Sequence, residues 1–486
     1  MNKSRKNIQR LHPVSILYFI VIAIKESLSY LWLFPLLVLL VHKQIGDQIS
    51  TVKIGVVVSI FLITLFLTVG ILKWKSFTYE IHEKAIYIQS GLSVIKKRWV
   101  TSDRIQSIDS TIRVYDYFFS TLTLTIELAG GDESSITLSC ISKEEERRIR
   151  DILQVNTLVN SIEEIDESVL HLSNSDLAFH SFLSPKFGVI LTIIALGLLK
   201  YWDMTKGNDQ NALFTVLSNW FGSNWIVVTI VLVAIISFVL SLLLTFESDY
   251  HFTIKKNSKD ELEIEQGLLE KKHRTITNNR IQALLIIERP LHRLLGYASI
   301  QAVVIRNSQK EQSEKNIAIV PFVKKKKVQT LLESFTGYQK SDCLQLLTKE
   351  ASFHYKVLPF IVGILIAIPI WLYVPAFYHY LAIIVPFILL LLGWMEYRMI
   401  GWNQNEHFLT IQYGSFSRKT VIIKRGRIQW ASLRQTTLQE KQHLATLKLA
   451  IASGKENIKF SLSHIPIDAA NHIYENTLKI KEDEEI

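Results

Sequence analysis

The chain has 486 residues, 49% of them hydrophobic, and a formal net charge of +10 at pH 7. It is too long for one domain and richer in apolar residues than its charge suggests. Its two cysteines, Cys140 and Cys343, are too few for a disulfide framework or a Cys-rich metal site, which suits a reducing compartment.

The N-terminal apolar segment is interrupted by charge. Lys25 and Glu26 follow its first run, and a charged group at mid-bilayer costs about 2.5 to 3.5 kcal/mol on insertion scales. We therefore predict a helix at the membrane surface over Pro13 to Ile24. Because no small-residue cleavage site follows, we expect this segment to be retained as an anchor.

Six further apolar runs are spaced as three pairs. Four of them are about 15 to 22 residues long and free of acidic groups, a length that crosses a bilayer as a helix: Ile54 to Leu72, Trp225 to Phe246, Tyr355 to Val374 and Leu381 to Met395. Two are less clean, Leu28 to Val41 and Pro185 to Leu199. We predict six membrane spans. The alternative, buried helices of a large soluble protein, is disfavoured because such helices are usually shorter.

Basic residues beside the spans predict the orientation. Lys and Arg are frequent in the first ten residues and after the second, fourth and sixth spans, whereas the loops within each pair are poor in them. By the positive-inside rule, both termini and all three large soluble segments are cytoplasmic in a multi-pass protein of the cell membrane.

The soluble segments repeat one pattern. A glycine follows a short alternating segment, and an Arg-Ile-Gln tripeptide begins 13 residues after it in all three copies. Three occurrences at one offset indicate a unit used three times. For the tripeptide, pairing across a sheet is favoured over a shared ligand contact. The repeated residues are Gly91 with Arg104, Ile105 and Gln106; Gly267 with Arg280, Ile281 and Gln282; and Gly414 with Arg427, Ile428 and Gln429.

Each copy therefore pairs a two-span hairpin with a soluble domain. The predicted bounds are 1–26 for the tail and interfacial helix, 27–74, 184–247 and 354–400 for the hairpins, 75–160, 248–340 and 401–482 for the soluble domains, and 161–183 and 341–353 for linkers.

Within each soluble domain, short strands precede one closing helix. In the first copy, alternation predicts a strand over Thr121 to Leu128, a turn leads to a second over Ser135 to Leu138, and a capping box at Ser142 opens a helix over Lys143 to Leu153. The other copies repeat this order, with strands over Ser299 to Arg306, Asn316 to Val320, Ala445 to Ala452 and Asn457 to Leu462, and helices over about Val323 to Phe335 and Asp468 to Ile480. The order predicts a small antiparallel barrel or sandwich capped by a C-terminal helix.

A family resemblance rests on these residues. The glycine, the Arg-Ile-Gln tripeptide and the run ERPLHRLLGY from Glu288 to Tyr297 resemble the bacterial pleckstrin-homology-like (PH-like) domain of YdbS- and YdbT-type membrane proteins. The whole chain resembles the three-copy YdbT type. The Arg-Leu-Leu-Gly part is clear in the second copy, and Tyr117 to Ser120 and Gln442 to Ala445 take its place in the others. The resemblance implies roughly seven strands closed by a helix, and a smaller single-copy PH-like membrane protein as a partner.

Sequence motifs of catalysis are missing. The sequence contains no P-loop, HExxH, GxSxG elbow or dinucleotide fingerprint, and its 14 histidines show no ligand spacing. We therefore expect no enzyme activity, no cofactor, no metal site and no nucleic-acid partner. Two interpretations remain. One is a membrane scaffold that presents its domains to protein partners or anionic lipid, in envelope stress or antimicrobial-peptide resistance. The other is a transporter or lipid-handling protein that uses the six spans as a pathway.

A basic run is predicted to open the closing helix of the second domain; it consists of Lys324, Lys325, Lys326 and Lys327. Four consecutive lysines usually form a solvated face. The alternative is contact with membrane lipids, because the flanking spans hold this domain at an anionic leaflet, where each Lys contributes about 1 kcal/mol.

Overall fold

A computed structural model describes residues 8–27, 51–82, 84–92, 94–128, 135–153, 169–184, 186–205, 219–220, 222–257, 260–305, 316–341, 343–373, 379–452 and 457–484. The chain forms two compact units. The first unit is Met1–Glu164 with Leu269–Thr275, and the second is Ile165–Leu268 with Ile276–Ile486. The first soluble domain thus lies in the first unit, and the third domain and most of the second lie in the second unit.

The described α-helices are numbered in chain order: α1 Ser15–Ser27, α2 Thr51–Ser76, α3 Val114–Phe119, α4 Lys143–Leu153, α5 Asn174–Phe182, α6 Lys186–Thr205, α7 Trp225–Asp249, α8 Pro290–Leu294, α9 Val328–Thr336, α10 Leu358–Tyr373, α11 His379–Met399, α12 Thr437–Lys441 and α13 Ile467–Glu484. The described strands are β1 Gln9–Arg10, β2 Thr78–His82, β3 Ala85–Ser90, β4 Lys96–Thr101, β5 Ile105–Ile112, β6 Thr121–Leu128, β7 Ser135–Ser142, β8 Val169–His171, β9 Thr253–Lys256, β10 Glu261–Gln266, β11 Lys271–Thr277, β12 Ile281–Glu288, β13 Tyr297–Val304, β14 Asn316–Lys324, β15 Gln345–Leu346, β16 Gly401–Gln404, β17 Phe408–Tyr413, β18 Arg418–Lys424, β19 Ile428–Arg434, β20 Leu444–Ile451 and β21 Ile458–Pro466.

Apolar helices occur where the clean runs of the sequence predict them. Among the described residues, four helical segments are long and apolar enough to cross a membrane: Gly55–Ser76, Trp225–Asp249, Lys349–Leu372 and Ala382–Met399. A fifth is added if α5 and α6, bent by 43° relative to each other, form one span. The predicted span from Leu28 to Val41 lies outside the described residues.

Helix α1 lies across one end of α2. The Ile16 carbonyl and the Ile20 side chain both lie beside Gly70, where an added Cβ would be 3.3 and 2.6 Å from them. Near the other end of α1, Glu26 pairs with Lys73 at 3.6 Å. Contacts from both ends of α1 therefore fall within the last two turns of α2. The position of α1 at the membrane surface stays a prediction. The helix begins and ends about two to three residues later than the predicted Pro13 to Ile24.

The first unit holds two antiparallel sheets. One has the order β1-β2-β3-β4. In the other, β6 pairs with β5 and β7, and Lys271, Lys272 and His273 of β11 pair with the open side of β5. Both sheets and α4 contribute to one apolar core. Strand β6 and helix α4 have the predicted bounds, and the Glu145 amide donates to the Ser142 hydroxyl at 3.2 Å, as half of a capping box does.

In the second unit, one sheet is shared between two copies. Its order is β14-β13-β12-β18-β17-β16-β15, so three strands of the second copy continue into four at the third. Strands β19, β20 and β21 form a separate sheet. The antiparallel sheets that the sequence predicts are present, and one of them is shared between the second and third copies, which the sequence did not predict. The barrel shape stays a prediction.

The shared sheet contributes to two cores because its side chains alternate between faces. Leu284 and Ile286 of β12 pack in the second domain's core, together with Ile422 of β18. Ala283 and Leu285, on the opposite face, pack in the third domain's core. The second and third domains consequently bury apolar surface as one body.

The segments predicted as linkers contain short strands, which the sequence did not predict. The first contains β8, which pairs with β9, and the second contains β15, which pairs with β16. Strand β1 pairs with β2 in the same manner. Each short strand covers a sheet edge whose backbone groups would otherwise be exposed.

Three strands run farther than alternation predicts. Strands β7, β14 and β21 each extend four residues past the predicted end, to Ser142, Lys324 and Pro466. Register shifts interrupt the pairing between these strands and their neighbours. Such a bulge reverses which side chains face the core, so the period-two signal stops before the strand does.

Candidate functional site

The repeated glycines occupy the turns before β4, β11 and β18. Gly91, Gly267 and Gly414 have φ of +121°, +110° and +127°, a backbone conformation that side chains disfavour. A Cβ at Gly91 would lie 1.9 Å from the carbonyl oxygen of Val94, and one at Gly414 would lie 2.0 Å from that of Ser417. The turn itself therefore requires glycine.

Each repeated arginine ends a three-residue 3-10 helix: Ser102–Arg104, Asn278–Arg280 or Arg425–Arg427. In the second unit, Arg280 Nη2 donates to the Ile305 carbonyl at 3.0 Å, and Arg427 Nη2 donates to the Asn279 carbonyl at 2.8 Å. Both guanidinium groups thus hold backbone carbonyls.

The repeated glutamines stand at β-bulges. Pairing of β5, β12 and β19 with the next strand shifts register between residues 105 and 107, 281 and 283, and 428 and 430. The residues skipped are Gln106, Gln282 and Gln429. The Gln282 side chain is buried and donates to the Arg280 carbonyl at 3.3 Å. The tripeptide therefore forms a turn and a bulge at the start of a strand.

We predict that Gly414→Ala destabilises the protein more than Gly337→Ala does. Gly337 has φ +68° with open space where the alanine methyl group would lie, so alanine there costs about 1 to 2 kcal/mol of left-handed strain. At Gly414 the methyl group also meets backbone. Thermal unfolding of the purified full chain in mild detergent measures the difference. Equal melting temperatures for the two variants would contradict the role given to the turn.

A short helix begins ten residues after each repeated arginine. These helices, α3, α8 and α12, present apolar side chains to the surface. In the second domain, Leu294 is 81% exposed. The exposed residues are Val114, Tyr117, Phe118 and Phe119 at α3, Leu291, Leu294 and Leu295 at α8, and Leu438 at α12.

The position of the glycine in Arg-Leu-Leu-Gly has a left-handed backbone conformation in all three copies. Gly296 has φ +73°, and Ser120 and His443, each also 16 residues after its arginine, have φ of 53° and 52°. The counterpart of Gly296 in the third copy is therefore His443. The match to Gln442 to Ala445 made from the sequence was wrong by two positions, because no glycine marks this turn there.

The basic run lies before the closing helix and does not open it, which corrects the prediction. Lys324 is the last residue of β14, where it pairs with Tyr297, and Lys325–Lys327 form a 3-10 turn before α9. All four lysines are exposed. Lys325 Nζ lies 3.2 Å from Glu288 Oε2, a carboxylate that also lies 3.6 Å from Arg418 Nη1.

Helix α8 lies near the ends of two candidate spans. The ring of its His292 is 5.9 Å from that of His180, and His180 Nε2 is 3.2 Å from Oδ2 of Asp249, the last residue of α7. Its Arg293 Nη1 is 3.8 Å from Sδ of Met399, the last residue of α11. The exposed leucines of α8 therefore lie near the ends of α7 and α11. The basic run is close to them, because Lys324 pairs with Tyr297, the residue after Gly296.

Comparisons with known proteins agree with the repeat. A family model described as "Bacterial PH domain" matches residues 18–157, 190–338 and 357–479, which together exceed half of the chain. The chain belongs to the bacterial PH domain family. It is also 26% identical over 466 residues to "UPF0699 transmembrane protein YdbT" of Bacillus subtilis (strain 168), covering 92% of this chain and 93% of that protein. No solved structure matches.

The chain is therefore a membrane protein with three bacterial PH domains. The residues of α8 and the basic run near the ends of the candidate spans were only partly identified from the sequence. The lysines were recognised as a charge run, whereas Leu291, Leu294 and Leu295 were quoted only as a family signature. Their exposure depends on the short helix, which has too few residues for a periodic signal. Within the described residues, no cluster of His, Cys, Asp or Glu has the geometry of a metal site.

Helix α8 contains a buried histidine, His292. His292 is fully buried, and neither ring nitrogen has a hydrogen-bond partner among the described residues. Burial, with help from the charges of Arg289 and His180, lowers the pKa of His292 from 6.5 to about 4. The neutral imidazole is therefore the folded form.

We predict that His292→Leu reduces the sensitivity of the protein to acid. The pKa of His292 is lower in the folded state than in the unfolded chain, so the unfolded chain binds the proton first as pH falls below 6.5. The stability that the wild type has above pH 6.5 is lost progressively down to about pH 4. Melting temperatures of the full chain between pH 8 and pH 4 should fall less in the variant; parallel curves would contradict this.

A cleft of about 1030 Å³ lies in the second unit between the second and third PH domains. Its basic side chains are already engaged with protein groups. Arg425 donates to the carbonyls of Glu406 and Asn476 at 2.9 and 2.7 Å, and Lys424 Nζ lies 4.8 Å from the centre of the Tyr338 ring. The contact of Lys424 with Tyr338 joins the two domains, whereas those of Arg425 lie within the third, and we assign the cleft no ligand.

Proposed function

We propose that this protein is a non-enzymatic membrane scaffold whose three PH domains face the cytoplasm and engage anionic lipid headgroups and protein partners. Cell-envelope stress or antimicrobial-peptide resistance is the setting that the family resemblance suggests. The observation that carries the proposal is the surface of the second PH domain beside the span ends, where exposed leucines of α8 adjoin the lysine run.

The chemistry of this surface favours a lipid interface. Leucine side chains gain free energy by leaving water for the acyl-chain boundary, and lysines beside them attract anionic headgroups. Lys325 is paired with Glu288, so we assign headgroup contact to Lys324, Lys326 and Lys327. The spans already anchor the chain, and these contacts therefore orient the domain.

We predict that anionic lipid draws Leu294 into a less polar environment. The full chain, with Cys343→Ser and an environment-sensitive dye on Leu294→Cys, is placed in nanodiscs with or without phosphatidylglycerol. Anionic lipid should shift the dye emission to the blue, and salt should reverse the shift because it screens the lysines. Changing Lys324, Lys326 and Lys327 to Gln should remove more than half of the shift.

The matched control changes Lys96, Lys97 and Lys143, exposed lysines of the first PH domain, to Gln. This variant loses the same charge and should keep the shift. A shift that is the same in both triple variants, or the same without anionic lipid, would rule out the lipid contact. The intact chain is used because the core of the second PH domain includes Ile422 of the third.

We predict that the PH domains face the cytoplasm. In a Cys343→Ser background, a cysteine at Ser461, exposed on β21, should react with an impermeant thiol reagent only after cell lysis. A cysteine at Asp209, which the sequence predicts to lie between two spans in a segment poor in basic residues, should react in intact cells. Labelling of Ser461 from outside intact cells would reverse the orientation.

Packing of the last hairpin favours a scaffold over a transport pathway. Pro369 and Pro386 lie inside α10 and α11, where they could mark a broken substrate site. However, the two helices approach so closely that a Cβ at Gly363 would lie 2.6 Å from Pro386 Cα. That contact leaves no room for a substrate between these helices at this level.

The proposed protein partner is a smaller single-copy PH-like membrane protein. The family resemblance suggests this class of partner, and strands at open sheet edges supply backbone groups through which another PH domain can pair.

A further inference from the structure

Successive copies in this chain are joined by one strand-pairing rule. In the second unit, β12 of the second copy pairs with β18 of the third along six residue pairs, from Ala283 opposite Ile423 to Glu288 opposite Arg418. In the first unit, β5 of the first copy pairs with the segment of β11 that carries Lys271, opposite Ile112. A strand that follows a glycine turn is thus added to a strand that follows an Arg-Ile-Gln tripeptide.

The register is the same at both junctions. Arg418 stands four residues after Gly414, and its partner Glu288 stands eight after Arg280. Lys271 likewise stands four after Gly267, and its partner Ile112 stands eight after Arg104. The same pairing geometry recurs although the paired side chains differ, so the backbone of the PH domain sets the register.

The third PH domain presents the same acceptor strand at an open edge. Among the described strands, β19 is hydrogen-bonded to β20 alone and is the edge of its sheet. Ala431 and Leu433 pack against the core, so Trp430, Ser432 and Arg434 point to the outer face. The matching positions of β12 are Ala283, Leu285 and Ile287, of which the first two are buried by the third domain.

Edge strands are usually protected by charge. Strands β4 and β19, which are edges of their sheets among the described strands, differ in that respect. Strand β4 carries Lys96, Lys97 and Arg98, whereas Arg434 is the one charged residue of β19. Strand β19 is therefore the edge that is less protected against addition of another strand.

We propose that β19 binds a strand of a PH domain in a different chain, namely the strand that follows the glycine turn. The two strands would pair in the register seen between β5 and β11 and between β12 and β18. A second copy of this chain fits poorly, since that register places Lys96, five residues after Gly91, opposite Arg434, seven after Arg427. Like charges directly opposite on paired strands are destabilising. The strand that fits has an acidic residue five positions after its glycine and apolar residues beyond it.

This inference extends the partner named in the proposed function, and it concerns a surface separate from the lipid-facing one. Position-specific photo-crosslinking of the full chain in native membranes tests it. Benzoylphenylalanine replaces Ser432 on β19 or, as a control, Ser461 on β21, the other edge strand of the same sheet. Both serines are outside the apolar core, and folding is checked by equal recovery of detergent-soluble protein.

The expected product, seen at Ser432 and absent at Ser461, joins this chain to a peptide that follows the glycine turn of a PH domain in another protein. Arg434→Glu should lower its yield about five- to ten-fold, and Arg434→Lys should preserve it. A crosslink to residues 96–100 of a second copy, a crosslinked peptide from any other structure, no product above the control, or a yield indifferent to Arg434→Glu would each overturn the proposal. Loss of lipid binding through the lysine run would leave this product in place, so the two proposals fail separately.

Discussion

Backbone pairing between β12 and β18 is the constraint on which the second unit depends. Both strands would otherwise present unpaired amide and carbonyl groups at a sheet edge, a costly arrangement for residues as apolar as those of β12. Pairing satisfies these groups and brings Leu284 and Leu285 of one strand into two different cores. The third PH domain is therefore held by hydrogen bonds and apolar burial together, and the two domains are expected to unfold cooperatively.

The same pairing explains the charged groups at this junction. Glu288 is almost completely buried, and a buried carboxylate is stable only when it is paired. Lys325 and Arg418, one from each domain, both approach it. Arg418 joins the two domains through Glu288, and Lys325 pairs with the same carboxylate from within the second domain, while the neighbouring lysines extend from the surface. The four lysines look equivalent in the sequence, but the position of Glu288 sets Lys325 apart from the other three.

The position of α8 beside the end of a candidate span also has a local physical origin. Helix α8 has five residues, too few to be stable in isolation, and it is held by Pro290 at its first position and by the buried ring of His292. Because the His180 ring lies near that ring and also pairs with Asp249, the end of a candidate span and helix α8 are parts of one packed cluster.

The sequence by itself determined the features that depend on local pattern. Apolar runs long enough to cross a bilayer, the strand-helix order and the threefold repeat were all readable, because each depends on residues close together in the chain. Strand β6 and helix α4 even have the predicted bounds. The repeated Gly91, Gly267 and Gly414 were recognisable for the same reason, since a turn that excludes a side chain constrains one residue directly.

Only the tertiary structure decided which strands pair and where charged residues lie. The basic run looked like the start of a helix, but Lys324 is held in β14 by its pairing with Tyr297 on another strand. Two segments predicted as linkers contain short edge strands, and strands of the second and third copies share one sheet, because an edge strand takes whichever partner the folded chain brings beside it. Backbone hydrogen bonds are much the same for every residue type, so a sequence reveals that a segment is a strand more readily than it reveals the strand's neighbour.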